Sequence, residues 1–109
     1  MIHNMKLVDF AFNAIKNKEK DIELRLNDEK RSLINVGDTI IFTNINTKEE
    51  LSVKVTNLYK YKTFKELFDN IDNSRLGLNK DDTYEIMYNF YTREDEGKYG
   101  ALGIEIELI

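Results

Sequence analysis

Lys16-Asn17-Lys18-Glu19-Lys20-Asp21-Ile22-Glu23-Leu24-Arg25-Leu26-Asn27-Asp28-Glu29-Lys30-Arg31 is the stretch on which the fold turns. It sets six basic and five acidic residues around only three aliphatic anchors, Ile22, Leu24 and Leu26. Those anchors alternate, which is the period-2 signature of a half-buried strand, so Asp21, Glu23 and Arg25 share its opposite face. Residues two apart on one strand face lie about 7 Å apart at Cα. Glu23 and Arg25 can therefore pair with each other or converge on one ligand. The alternative is a solvated outer face on an antiparallel strand, which is common wherever one side of a sheet meets water.

Working outward, Phe12 and Ile15 with Ala11 and Ala14 recur at helical spacing, predicting a short amphipathic helix capped by Asp9 and ending near Asn17 in a left-handed conformation. A short strand around Met5 to Leu7 precedes it, and His3 reads as a solvated residue of a frayed end. Asn27-Asp28 supplies turn chemistry before a single helical turn within 29–35. Val36-Gly37-Asp38 turns into a β-rich run, Thr39 to Phe42, and 44–50 is a polar hairpin tip. Leu51, Val53, Val55, Asn57 and Tyr59 then alternate in one long strand. A strand of this length bends around a barrel or bridges two layers.

Thr63 and Glu66 form a capping box for a helix whose apolar face is Phe64, Leu67 and Phe68. A further helix is expected from about Lys80, with Tyr84, Tyr88 and Tyr91 as a stripe whose rings cover the core. Residues 92–98 read as a charged loop, and one-sided alternation from Ala101 to Leu108 gives the last strand. The expected architecture is α+β: a single domain over 1–109, a small barrel of five to six mostly antiparallel strands flanked by two to three short helices.

Composition narrows the chemistry. The 109 residues contain no cysteine, hence no disulfide, thiolate metal site or cysteine nucleophile, and a single histidine argues against a zinc site or a histidine-based catalytic pair. No phosphate-loop, dinucleotide, zincin or serine-hydrolase motif is present, and no cofactor or metal is expected. No stretch approaches the ~18 apolar residues of a membrane span, so a cytoplasmic protein without membrane partners is expected. A net charge of −4 opposes nonspecific binding to polynucleotides, which would have to meet a local patch. Oligomeric state is left open.

The run Lys20-x-x-Glu23-x-Arg25, preceded by Phe12-x-x-Ile15 and followed by Val36-Gly37-Asp38-x-Ile40-x-Phe42, resembles the ASCH domain family of PUA-like β-barrels, whose signature is G-x-K-x-x-E-x-R. The likeness continues through Tyr61-Lys62-Thr63-Phe64-Lys65-Glu66-Leu67 and from Tyr91 to Gly100. Lys20, Glu23 and Arg25 match the signature, while Lys18 stands where it has glycine. The resemblance implies a PUA-like barrel with a cleft lined by these residues and RNA or a nucleotide-like small molecule as ligand. Some relatives remove the acetyl group from N4-acetylcytidine, and others are described as ribonucleases. The amidohydrolase branch places a nucleophilic threonine where Glu23 stands and takes a glutamate from the region before the last helix, which here reads Asp72-Asn73-Ser74-Arg75-Leu76-Gly77.

Two functions follow as expectations. In a binding module, Lys20, Glu23 and Arg25 hold the ligand, with Lys30, Arg31, Tyr91 and Tyr99 at the rim, Arg25 offering a donor fork and a tyrosine stacking on a base. In an enzyme, Lys20 acts as base and Glu23 as its acid or orienting partner. A domain that serves only protein interaction is the third possibility.

Overall fold

The computed structural model describes residues 1–79 and 81–109. Five strands, β1 (Ile2–Leu7), β2 (Ile22–Leu26), β3 (Thr39–Asn44), β4 (Glu50–Tyr61) and β5 (Ala101–Leu108), form one mixed sheet in the order β1-β3-β4-β5-β2, curled into a half-barrel. The β1–β3 pairing is parallel and the other three are antiparallel. Three α-helices, α1 (Asp9–Lys16), α2 (Phe64–Asn70) and α3 (Arg93–Tyr99), accompany it, with 3-10 segments at Arg31–Leu33, Asn73–Arg75 and Tyr84–Asn89. The expected α+β barrel with short flanking helices is the fold observed.

Both faces of the central strands are covered, so β5 is buried on both sides over Ala101–Ile104 and not on one side as its alternation suggested. On the concave face, Met5, Phe12, Phe42, Val53, Leu102 and Ile104 belong to one buried cluster. On the other face, Ile22, Leu24 and Leu26 of β2 join Phe64, Leu67 and Leu76 in a second. The apolar side of β2 thus faces α2, and its charged side turns into the half-barrel rather than into water. Alternation along β4 holds as far as Val55, where the register with β5 shifts between Val55 and Asn57. The irregularity swaps the faces. Leu58 then packs against the first cluster and Tyr59 and Tyr61 against the second, while Asn57 is exposed.

Several expectations change at the element ends. Val8, not Asp9, precedes α1 and makes no side-chain cap; the Asp9 carboxylate instead accepts a hydrogen bond from Asn44 Nδ2 at 2.9 Å. The left-handed residue after α1 is Lys18, at φ 63°, and Asn17 stays at φ −88°. His3 is not frayed, because β1 begins at Ile2 and the imidazole Nε2 lies 2.8 Å from Asp38 Oδ2. Thr92–Lys98 is not a loop. Thr92 Oγ1 accepts from Asp95 N at 3.1 Å and starts α3, a helix with too few apolar residues to show periodicity. The tyrosine stripe lies on no α-helix: Tyr84 and Tyr88 sit on the 3-10 segment and Tyr91 beyond it, while the expected start at Lys80 lies outside the described residues.

Candidate functional site

Lys20 precedes β2 and pairs with Leu76 in an isolated antiparallel bridge. Three residues on, Glu23 stands opposite Ile104 of β5, and Arg25 opposite Leu102. Register partners on neighbouring strands project to one side. Glu23 and Arg25 therefore share the concave face with buried aliphatic residues. The three charges converge: Lys20 Nζ lies 3.1 Å from Glu23 Oε1, and Arg25 Nε and Nη2 donate to Glu23 Oε2 at 3.1 and 2.9 Å. Side-chain exposure is only 6% for both Lys20 and Glu23 and 15% for Arg25. A wet surface pair is excluded by those numbers.

Burial alone would raise the Glu23 carboxyl, but the nearby Lys20 and Arg25 charges and their hydrogen bonds overcome it and hold the group below its ordinary value. Each carboxylate oxygen is already occupied, Oε1 also accepting from Leu24 N at 3.1 Å. Lys20 Nζ donates in addition to the Leu76 carbonyl at 3.0 Å. Arg25 Nη2 reaches further, donating to the Lys6 carbonyl at 2.8 Å. Since β1 and β2 are the two edges of the sheet, this guanidinium closes the seam of the half-barrel. Its Nη1 makes no hydrogen bond among the described residues.

The other expected site residues divide. Burial pushes the Tyr91 phenol above its ordinary value, with Arg25 and Arg31 lowering it and Glu23 and Asp28 raising it. Its ring stacks on Phe64 with centroids 5.7 Å apart. Arg31 is half-buried, its Nη1 4.0 Å from Asp28 Oδ2. Lys30 is exposed and makes no ion pair among the described residues. Tyr99 lies apart, in a hollow of about 630 Å³ with residues 60–63. A second hollow, about 460 Å³, touches Lys20 from the side of Lys18, Asp21 and Arg75. Neither is lined by Glu23 or Arg25. The three signature side chains meet each other in a dry interior rather than jointly lining an open cleft.

Three neighbours of the site escaped the sequence reading. Gly77, at φ +70°, lies against Lys20, and a Cβ there would come within 2.8 Å of the lysine Cβ. A glycine between two leucines was its one signal. Arg75 binds both oxygens of Asp21 at 3.0 Å and Glu105 Oε1 at 2.8 Å, and Glu105 also accepts from Tyr59 at 2.7 Å and Thr56 at 2.9 Å. These bonds raise the Arg75 guanidinium and hold Glu105 below its ordinary value. Glu96, buried in α3, accepts the Phe64 N–H at 2.8 Å and the Tyr88 hydroxyl at 2.9 Å, tying the helices beneath Tyr91. Among the described residues, no group of three or more histidine, aspartate or glutamate side chains is placed to hold a metal ion.

The ASCH domain model matches residues 5–109. This chain belongs to the ASCH domain family. The ASCH assignment agrees with solved structures over the whole chain: hypothetical protein PH0355 has 37% identity and a TM-score of 0.87, each chain covered in full. Protein PF0455 from Pyrococcus furiosus has 34% identity and a TM-score of 0.77, covering 100% of this chain and 98% of that one. An ASCH domain from Lactobacillus crispatus shares the fold at 15% identity and a TM-score of 0.67, covering 97% and 79% of the two chains. No curated protein matches.

Proposed function

We propose that this ASCH domain binds RNA or a nucleotide-like ligand at the partly exposed guanidinium of Arg25. The supporting observation is that Arg25 is fixed by Glu23 and by the Lys6 carbonyl, with Nη1 unspent among the described residues. A guanidinium held this way loses little conformational freedom when its remaining donors meet a phosphate or base edge. Tyr91 supplies a ring for stacking, and Lys20 acts indirectly by fixing Glu23.

The hydrolase alternative finds less support. Glu23 stands at the position of the branch's nucleophilic threonine, both its oxygens are engaged, and the Lys20 ammonium is committed to Glu23 and Leu76. Incubation with N4-acetylcytidine or single-stranded RNA is expected to give no product above a Lys20→Ala control.

Titration of uridine monophosphate and short single-stranded RNAs tests the binding reading. Arg25→Ala is expected to weaken binding about 10- to 100-fold, the worth of a lost charge-assisted hydrogen bond. Equal binding by the two proteins, or none by the wild type, would overturn it. Circular dichroism at the assay temperature confirms that the variant is folded.

A further inference from the structure

The hollow that holds Tyr99 has a composition unlike the rest of this acidic chain. Lys60, Lys62 and Lys98 line it with Tyr61 and Tyr99, and Glu66 is the one carboxylate on its wall. None of the three lysines is ion-paired among the described residues, where Lys16, Lys20 and Lys65 are the paired ones, so no direct salt bridge offsets their charge. Lys98 Nζ sits 5.1 Å from the centre of the Tyr99 ring, which keeps the cation at the rim. Here, locally, the repulsive sign of the whole chain is reversed.

Gly97 supplies a second, independent sign. It lies in α3 with no positive φ, and a Cβ built on it meets nothing within 4 Å. Neither backbone geometry nor packing requires glycine there, and helix propensity opposes it. What its missing side chain does is leave the hollow open. The hollow is also aligned with the signature: Lys60 pairs with Leu102, and Leu102 with Arg25, so Lys60 and Arg25 occupy one row of the sheet about 10 Å apart.

We propose that this hollow carries the sugar-phosphate backbone of a single-stranded RNA, whose adjoining nucleotide is held at Arg25, through Lys60, Lys62 and Lys98 with Tyr99 as a stacking ring. The inference rests on the reading of Arg25 as a nucleotide site and narrows its ligand to a polynucleotide. At about 630 Å³ the space falls within the range of small-ligand sites. Three unpaired lysines around one tyrosine suit repeated phosphates and a base face.

The test uses fluorescence anisotropy with uridine monophosphate as competitor and a labelled single-stranded oligouridylate of about ten nucleotides. The proteins are the wild type, Lys60→Ala/Lys62→Ala/Lys98→Ala, Gly97→Gln and Arg25→Ala. Both hollow variants are expected to bind the mononucleotide like the wild type and the oligonucleotide at least about tenfold more weakly. In the triple variant the slope of log affinity against log salt should fall by about 2, at roughly 0.7 for each lost single-strand phosphate contact. Gly97→Gln should unfold no earlier than the wild type, since glutamine is the better helix former. Unchanged oligonucleotide affinity in both hollow variants overturns the inference while leaving the Arg25 site standing. Loss in the hollow variants with no effect of Arg25→Ala on either ligand overturns the Arg25 reading instead. Displacement of the RNA by a polyglutamate peptide at equal affinity would overturn the assignment to RNA, and no RNA binding by the wild type overturns both.

Discussion

Lys18 occupies the left-handed residue that follows α1, at φ 63°, where the family signature carries glycine. A non-glycine residue there bears strain, which for a left-handed residue is of order 1 to 3 kcal/mol. Lys18→Gly relieves it but gives the unfolded chain more freedom to lose, so a net gain of about 1 kcal/mol is expected from urea denaturation. An unchanged or lower midpoint would show the turn to be unstrained. The same residue scale shows how far the site was legible. Glu23 and Arg25 could be placed on one face from alternation alone, but whether that face was wet depended on Ile104 and Leu102, some eighty residues later in the chain. Local pattern finds which residues meet; it does not tell what covers them.

Helix α2 shows the same limit between elements. The Thr63 half of its expected capping box forms, Thr63 Oγ1 accepting from Glu66 N at 3.1 Å. The Phe64 N–H, however, is satisfied by Glu96 from α3 at 2.8 Å, a contact across thirty-two positions that no local motif encodes. Since Glu96 also receives the Tyr88 hydroxyl, it joins α2, α3 and the 3-10 segment between them. Glu96→Ala leaves a buried N–H without its acceptor and is expected to cost about 2 kcal/mol, read from the urea midpoint, with Glu96→Gln recovering about half. A loss below 0.5 kcal/mol, about the level of an ordinary surface substitution, would sink this account. The α3 helix itself was missed because Arg93–Tyr99 shows no apolar stripe, although Thr92 and Asp95 carry an N-terminal signal.

For the molecule as a whole, strand number and the β3–β4 hairpin followed from the local pattern, while the burial of β5 on both faces, the parallel pairing of β1 and the irregularity in β4 did not, because all three depend on partners distant in sequence. Acid stability follows from the same long-range contacts. Glu23 and Glu105 lie below 4.5, Asp72 lies below 3.8, and Asp38 is drawn from 3.8 to about 2 by its hydrogen bonds to His3 and Asn35. Carboxylates depressed in the folded state stabilise it fully above their unfolded values, and that contribution is lost as pH falls through the folded ones. The urea midpoint is therefore expected to drop from about pH 4.5 downward, and Asp38→Asn to flatten the part between pH 3.8 and about 2. A wild-type midpoint that does not move between pH 5 and 2 would contradict this.

The guanidinium that joins the two sheet edges is also the group proposed above to meet the ligand. On that reading, stability and ligand grip draw on the same few atoms, so neither property can drift alone. Any screen that scores only survival or pull-down yield will conflate them. Arg25→Lys, which keeps a cation but has no planar fork to span Glu23 and the Lys6 carbonyl together, is the variant that would pull the two apart.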